Sequence, residues 1–281
     1  MKVIETKAEL KAQVAEWREQ GLSVGLVPTM GYLHEGHQSL IATAANNVDR
    51  IVVSDFVNPI QFGPNEDYDN YPRDLEHDIA VASEKGAHVI FHPSVEEMYG
   101  SNHNTYVTME KLGDTLCGAV RPIHFKGVCT VVTKLINIVE PDMAFFGQKD
   151  AQQLAIIKRM VADLDMRVQV VGCPIVREDD GLAKSSRNTY LSADEREAAL
   201  CLSRAVFAGQ ELVENGERNA AAVKSAMRDI IDAEPLSKID YVEIVDGVTM
   251  QPVQHIEGAI LCAIAVYIGN TRLIDNFIWE A

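Results

Sequence analysis

The chain is short of several things at once. Its five cysteines (Cys117, Cys129, Cys173, Cys201 and Cys262) are scattered, odd in number and without a Cys-x-x-Cys pair. That disfavours a disulfide framework or a zinc cage and points to reduced, mostly buried thiols in a cytoplasmic protein. No stretch approaches the roughly 20 uninterrupted apolar residues a membrane helix needs. The opening MKVIETKAEL has no apolar segment of the secretory type. Positive charge is scarce too: 25 Lys and Arg stand against 41 Asp and Glu, a formal net charge of −16. Such a surface repels phosphate backbones, so a nucleic-acid partner is disfavoured. A small anionic substrate is admissible only if the chain builds a local basic pocket. Internal repeats and low-complexity runs are absent as well. What is present is 281 residues with 47% hydrophobic content, enough for one large α/β domain or two smaller ones.

Capping residues and apolar periodicity order the chain into alternating elements. Thr6 and Glu9 have capping-box spacing and predict a helix running to about Gly21. SVGLVPTM predicts a buried strand, HEGHQSLIATAANN a helix with Leu40, Ile41 and Ala44 on its apolar face, and RIVVSDFVN the next strand. That succession is a βαβ unit and implies a parallel sheet. LEHDIAVASEKG, GVCTVVTKLINIVE (halted by Pro141) and DAQQLAIIKRMVADL continue it as helices, AHVIFHPS, DMAFFG and RVQVVGCPIV as strands. The pattern predicts a doubly wound parallel sheet over residues 1–176. Beyond VREDDGLAKSSRNTYLS the texture changes. Ser192 and Glu195 predict a second capping box opening one long helix, ADEREAALCLSRAVFAGQELVENG. NAAAVKSAMRDIIDA predicts another helix, and KIDYVEIVDG, AILCAIAVYIG and TRLIDNFIW predict strands. A smaller α+β domain is therefore expected over residues 177–281.

Several segments could carry chemistry. In VPTMGYLHEGHQSLI a strand ends at Pro28-Thr29-Met30-Gly31 and a helix follows, which sets free backbone N–H groups at the carboxyl edge of the sheet. His34 and His37 fall on one face of the first helical turn, where both can donate to phosphate oxygens, and Gly36 leaves room for a ligand. A helix start with two solvated histidines would have the same spacing. Zinc is disfavoured, because HEGH lacks the spacing of HExxH and no further ligand cluster stands out. Asn58 and Gln61 in FVNPIQF are neutral amides suited to hydroxyls and carboxylates, or simply caps of a Pro-anchored turn. FFGQKDAQQL supplies Lys149, a helix cap in Asp150, and Gln152 or Gln153 facing the cleft; a surface lysine is the plainer alternative. DGLAKSSRNTYLS sets Lys184, Ser185, Ser186 and Arg187 in a row, which suits either a phosphate clamp that moves as a lid or a polar linker. AVRPIHFKGV adds Arg121, His124 and Lys126. Together these segments answer the charge problem better than any one alone.

HEGH after an apolar strand, with KSSR far downstream, resembles the HIGH and KMSKS pair of the nucleotidyl-transferring Rossmann superfamily. Within it the chain is most similar to the pantoate–β-alanine ligase family. The resemblance is carried by LVPTMGYLHEGH, FVNPIQF, YPRDLEHD, RPIHFKGV, PDMAFFGQKDAQQLAIIKRMVADL, GLAKSSRNTYLS and TRLIDN, in the family's order and over nearly the whole chain. It implies a Rossmann-like ATP- and pantoate-binding domain with a C-terminal lid. It also implies two half-reactions: pantoate attacks the α-phosphorus of ATP, and β-alanine then attacks the pantoyl adenylate, releasing AMP.

Carried over by position, the resemblance implies ATP contacts at Met30, Gly31, Tyr32, Leu33, His34, Glu35, Gly36 and His37. It implies further nucleotide contacts at Gly147, Gln148, Lys149, Asp150, Val176, Lys184, Ser185, Ser186 and Arg187. His37, His34 and Lys149 would be catalytic, with Lys149 neutralising charge at the reacting phosphate. Gln61 and Gln153 would bind pantoate, Gln61 also lying near β-alanine, and Asn58 would lie on the β-phosphate or metal side. Mg²⁺ accompanying ATP, no resident metal site, and a homodimer are likewise implied. The chain departs from the family pattern at Ile123 (usually Gly), at Asp55 (usually apolar or small) and at Lys184 (usually Leu). Another transferase of the superfamily, such as an adenylyltransferase or a tRNA synthetase, is the alternative. The latter is disfavoured by acidity and by the lack of an anticodon-binding appendage. A catalytically silent nucleotide module would be expected to have lost one of His34, His37, Lys149 or Arg187, and all four are present.

Overall fold

The computed structural model describes residues 1–64 and 66–280. Strands β1 (Lys2–Ile4), β2 (Val24–Thr29), β3 (Arg50–Asp55), β4 (Val89–Phe91), β5 (Met143–Gly147) and β6 (Gln169–Cys173) form one sheet in the order β1-β4-β3-β2-β5-β6. Every pairing in it is parallel. The central strands β2 and β3 are buried on both faces, which is why they are nearly continuous apolar runs in the sequence. Helices α1 (Lys7–Glu19), α2 (Glu35–Ala45), α3 (Leu75–Glu84), α4 (Val95–Tyr99), α5 (Leu116–Val120), α6 (His124–Val139) and α7 (Ala151–Asp163) connect and flank them. α1, α6 and α7 cover one face through Leu10, Trp17, Leu135 and Ile157. α2 and α3 cover the other through Leu40, Ile41 and Ala82. The doubly wound sheet is thus as expected. β1, α4 and α5 are not, because three to five residues are too few to show a period.

The chain winds outward from β2 through β3 to β4, then returns to lay β5 on the opposite flank of β2. The winding therefore reverses between β2 and β5, and such switch points open a crevice at the carboxyl ends of the strands.

The rest of the chain adds α8 (Ala193–Ala198), α9 (Leu200–Glu214) and α10 (Ala220–Asp232) over an antiparallel sheet of β7 (Ser237–Asp246), β8 (Ile260–Ile268) and β9 (Thr271–Trp279). These elements share their own core, with Leu202, Val206, Met227, Ile244 and Ile264 among its buried residues. Leu116 and Ala151 meet Val245, Leu261 and Ala263 where the two sheets' surroundings join. The Ser192–Glu195 box is complete: Ser192 Oγ accepts from Glu195 N–H at 3.3 Å and Glu195 accepts from Ser192 N–H at 2.8 Å. At the first helix only half the box forms, with Thr6 Oγ1 accepting from Glu9 N–H at 3.2 Å. The single long helix expected after Ser192 is divided at Ala199. There Leu202 N–H bonds Ala199 C=O at 3.1 Å, an i→i+3 tightening with right-handed angles kept.

Candidate active site

A cleft of about 220 Å³ lies at the switch point, outside β2 and β5. Its floor is the turn from β2 into α2. Thr29 Oγ1 donates to Ser54 C=O at 2.6 Å and accepts from Gly31 N–H at 3.1 Å. Asp78, buried at the start of α3, takes the N–H groups of Tyr32 and Leu33, each at 2.6 Å. Gly31 has φ +80°, and a Cβ there would sit 2.3 Å from Asp55 Oδ1, so only glycine fits. Burial pushes the Asp78 carboxyl up, and the nearby Asp55 adds to the shift.

His34 is the N-cap of α2 and His37 its third residue. His34 Nδ1 accepts from Gly36 N–H at 3.0 Å, and His37 Nδ1 accepts from His34 N–H at 3.3 Å. With Nδ1 an acceptor, each neutral ring carries its proton on Nε2. Burial, first of all, holds both rings down: His34 to about 2, with His37 and Lys149 adding to it, and His37 to about 4, with Lys149 adding. The rings are 4.2 Å apart between centroids. The pair therefore stands as two neutral Nε2–H donors at a helix N-terminus.

His124 is set the other way. Its Nδ1 donates to Gln61 C=O at 3.1 Å, which leaves Nε2 a lone pair, and burial holds the ring down at about 3. It is not the cation its place in a basic cluster suggests.

A pH dependence follows from these three rings. Below about pH 6.5 the unfolded chain protonates histidines that the folded protein keeps neutral, so stability is lost as acid is added. The loss continues down to about 4 for His37 and lower for the other two. Each ring contributes at most about 1.4 kcal/mol per pH unit in that window. The urea midpoint is expected to fall from pH 7 to pH 5, and His37→Asn to flatten that slope. An unchanged slope in the variant would remove the assignment.

Four cations line the cleft: Arg121, Lys149, Lys184 and Arg187. Three are held by carboxylates of the protein itself. Arg187 is gripped through Nε and Nη2 by Asp67 at 2.9 and 2.8 Å. Arg121 is gripped through the same two nitrogens by Glu66. Lys184 bridges Glu178 at 2.8 Å and Glu35 at 3.1 Å, so it is no unopposed extra charge. Lys149 makes no such pair among the described residues. The Lys184–Arg187 loop is tied to the β2–α2 turn by Ser186 Oγ, which donates to Tyr32 C=O at 3.4 Å. Ser185 caps the following turn by accepting from Arg187 N–H at 3.3 Å.

The amides divide sharply. Asn58 is fully engaged: it donates to Gln61 Oε1 at 3.0 Å and to Gly127 C=O at 3.2 Å, and accepts from Tyr99 at 2.6 Å. That chain fixes Gln61 with its NH₂ free of the carbonyl partner, beside Met30 Sδ at 3.0 Å. Gln152 is consumed structurally, holding Leu112 C=O, Thr115 C=O and Cys117 N–H. Gln153 lines the cleft. Gly127 explains the close seating of Gln61 on α6, because a Cβ would lie 2.4 Å from Gln61 Cα. Gly127→Ala is expected to cost roughly 2 kcal/mol or more through backbone displacement. Thermal unfolding would check it.

Met30, His34, Gly36, His37, Asn58, Gln61, Gly147, Lys149, Asp150, Gln153, Val176 and Lys184 to Arg187 all reach the cleft. Gly31, Tyr32, Leu33, Glu35 and Gln148 do not line it. Leu33 is core, Gly31 and Tyr32 build the turn beneath, and Glu35 faces Lys184. Arg121 and His124 line it, whereas Lys126 lies over the Tyr106 ring at 4.0 Å. Tyr71 also lines it. Tyr71 and Asp78 are the first and last residues of YPRDLEHD, a segment that carries the resemblance without giving either residue a role.

Imidazole donors at a helix start, stored cations and fixed amides at a sheet switch point define an α/β enzyme built to hold an anionic substrate. The chain belongs to the pantoate-β-alanine ligase family, whose profile matches residues 2–278. The pantothenate synthetase of Clostridium acetobutylicum is 55% identical over 280 residues, covering 100% of each chain. That of Enterococcus faecalis is 57% identical over 280 residues, covering 100% of this chain and 99% of the relative. The crystal structure of pantothenate synthetase from Thermus thermophilus superposes with a TM-score of 0.94 at 45% identity, covering 99% of each chain. The Francisella tularensis pantoate-β-alanine ligase, complexed with β,γ-ATP and β-alanine, gives 0.80 at 32% identity over 99% of this chain and 97% of its own.

Proposed function

We propose that this chain condenses pantoate with β-alanine at the expense of ATP, through a pantoyl adenylate. The observation that carries the reading is one cleft bounded both by the start of α2 and by the Lys184–Arg187 loop. The named ligands of the Francisella relative agree with it. In the first half-reaction a pantoate carboxylate oxygen attacks the α-phosphorus, and the bond to the bridging oxygen of pyrophosphate breaks. His34 and His37 donate through Nε2–H to phosphate oxygens, and Lys149, without a carboxylate partner among the described residues, meets the charge that develops at the reacting phosphate. Gln61 and Gln153 orient pantoate, whose methyl groups suit the apolar wall of Val131, Val132 and Leu135. In the second half-reaction the neutral amine of β-alanine attacks the acyl carbon, and AMP leaves with the electron pair.

Among the described residues no three His, Cys, Asp or Glu side chains gather as a metal cage, and Asp150 is the acidic residue lining the cleft. A single carboxylate beside a phosphate site fits Mg²⁺ carried in by ATP, where it would offset phosphate charge. To the same reading belong a lid role for residues 177–281, a homodimer and a cytoplasmic setting. No helix among the described residues is long and apolar enough to cross a membrane.

The test is incubation with ATP·Mg²⁺, pantoate and β-alanine, followed by mass analysis. Pantothenate, AMP and pyrophosphate are expected in equal amounts, with pyrophosphate exchange into ATP when pantoate alone is added. ATP consumption without pantothenate would overturn the reading.

A further inference from the structure

The TRLIDN segment is distinctive in the sequence and has no part in the chemistry above. It lies on β9, and of its adjacent residues Asp275 and Asn276 the second reaches into the first sheet's territory. Asn276, 4% exposed, donates through Nδ2 to the backbone carbonyls of Gln148 at 3.1 Å and Lys149 at 2.8 Å. Asp275, 2% exposed, accepts from Asn276 N–H at 2.8 Å. Its carboxylate also takes the Arg177 guanidinium in a fork at 2.7 and 2.9 Å. Arg177 in turn donates to Gly181 C=O at 3.0 Å and pairs with Ala183 across a hairpin. The outgoing arm of that hairpin runs into Lys184–Arg187.

Two neighbouring side chains thus hold two of the elements that line the cleft. One fixes the turn that carries Lys149, and the other fixes the base of the loop that carries Arg187. Lys149 has no carboxylate partner of its own among the described residues, so its main chain is what sets where the ammonium can reach. A buried amide spanning two carbonyls supplies that restraint, because its donors would be unsatisfied in any other position.

We propose that Asn276 is a positioning residue for Lys149, and that Asp275–Asn276 is a clasp by which the second sheet sets the spacing of the two phosphate-contacting elements. The proposal rests on the ligase reading above. Isosteric Asn276→Asp removes the donor and turns a carboxylate against the two carbonyls. Asn276→Ser keeps a hydroxyl donor on a smaller frame and serves as the second variant should the first fail to fold.

The experiment measures pantoate-dependent pyrophosphate exchange for the unsubstituted protein, each Asn276 variant, Lys149→Ala and the double variants, with thermal unfolding alongside. Either Asn276 variant that melts within a few degrees of the parent is expected to lower kcat at least about thirtyfold with KM for pantoate within about threefold. In the Lys149→Ala background the same change is expected to cost under about threefold, since residues that act through one another are not additive. An equal loss with and without Lys149 would make Asn276 merely structural and overturn the proposal, as would an unchanged kcat. Unsubstituted protein that shows no exchange overturns the ligase reading and the clasp with it.

Discussion

His37→Ala and Lys149→Ala are each expected to slow adenylate formation at least a hundredfold, roughly 2.7 kcal/mol of transition-state stabilisation. The two changes act on different parts of one requirement. Burial holds the His37 ring neutral, pushed down to about 4, and its Nδ1 is occupied by the N–H of His34. On the proposed function it would meet a phosphate oxygen as a preset Nε2–H donor with no tautomer to rearrange. Alanine also deletes the acceptor for the His34 N–H, so the helix start loses its order along with the donor. Lys149 contributes full charge, and its lack of a carboxylate partner within the described residues means none must be displaced. The three other cations, by contrast, are paired with Glu66, Asp67 or the Glu35–Glu178 pair, which they would have to leave to meet a substrate. Pre-steady-state measurement of pyrophosphate release would check both variants. Near-normal rates in both would refute the assignment of the reacting centre.

The second large effect concerns pantoate. Gln153→Ala is expected to raise KM for pantoate about 10- to 100-fold, as loss of hydrogen bonds to a charged group implies, while ATP binding survives. Gln152→Ala, one residue away, is expected to do the reverse. Its amide holds three backbone groups around α5, so its loss should lower the melting temperature and leave pantoate KM nearly unchanged. Isothermal titration with pantoate and with ATP separates the cases. If Gln153→Ala weakens both ligands equally, the amide supports the fold and not the substrate.

This adjacent pair shows where the sequence stops being informative. Gln152 and Gln153 are both plausible cleft residues from composition and position, and one helical step of about 100° decides between them. Which side of α7 faces the cleft depends on how the helix rolls on β5 and α6. The Ile123 departure is a similar case. Its side chain is 42% exposed immediately before α6, so the added bulk points to solvent and not into the cleft. Asp55 likewise lies beneath the β2–α2 turn, against Gly31 and His92, and not on the cleft wall.

Local physics made much of the molecule readable in advance. Apolar runs bounded by glycine and proline mark strands buried on both faces, and helical spacing of Leu40, Ile41 and Ala44 marks the face of α2 that packs on them. Those signals depend on neighbours a few residues away, so one chain suffices to reveal them. The same holds for the histidine pair at the helix start and for the serine–arginine loop. The tertiary structure alone decided what state these groups are in. The tautomer of His124 is set by a carbonyl 63 residues away, the anchoring of the β2–α2 turn by a carboxylate 46 residues away from Tyr32, and the storage of Arg187 by an aspartate 120 residues away. Charge, tautomer and orientation follow from burial and from hydrogen-bond partners, and those are properties of the assembled fold.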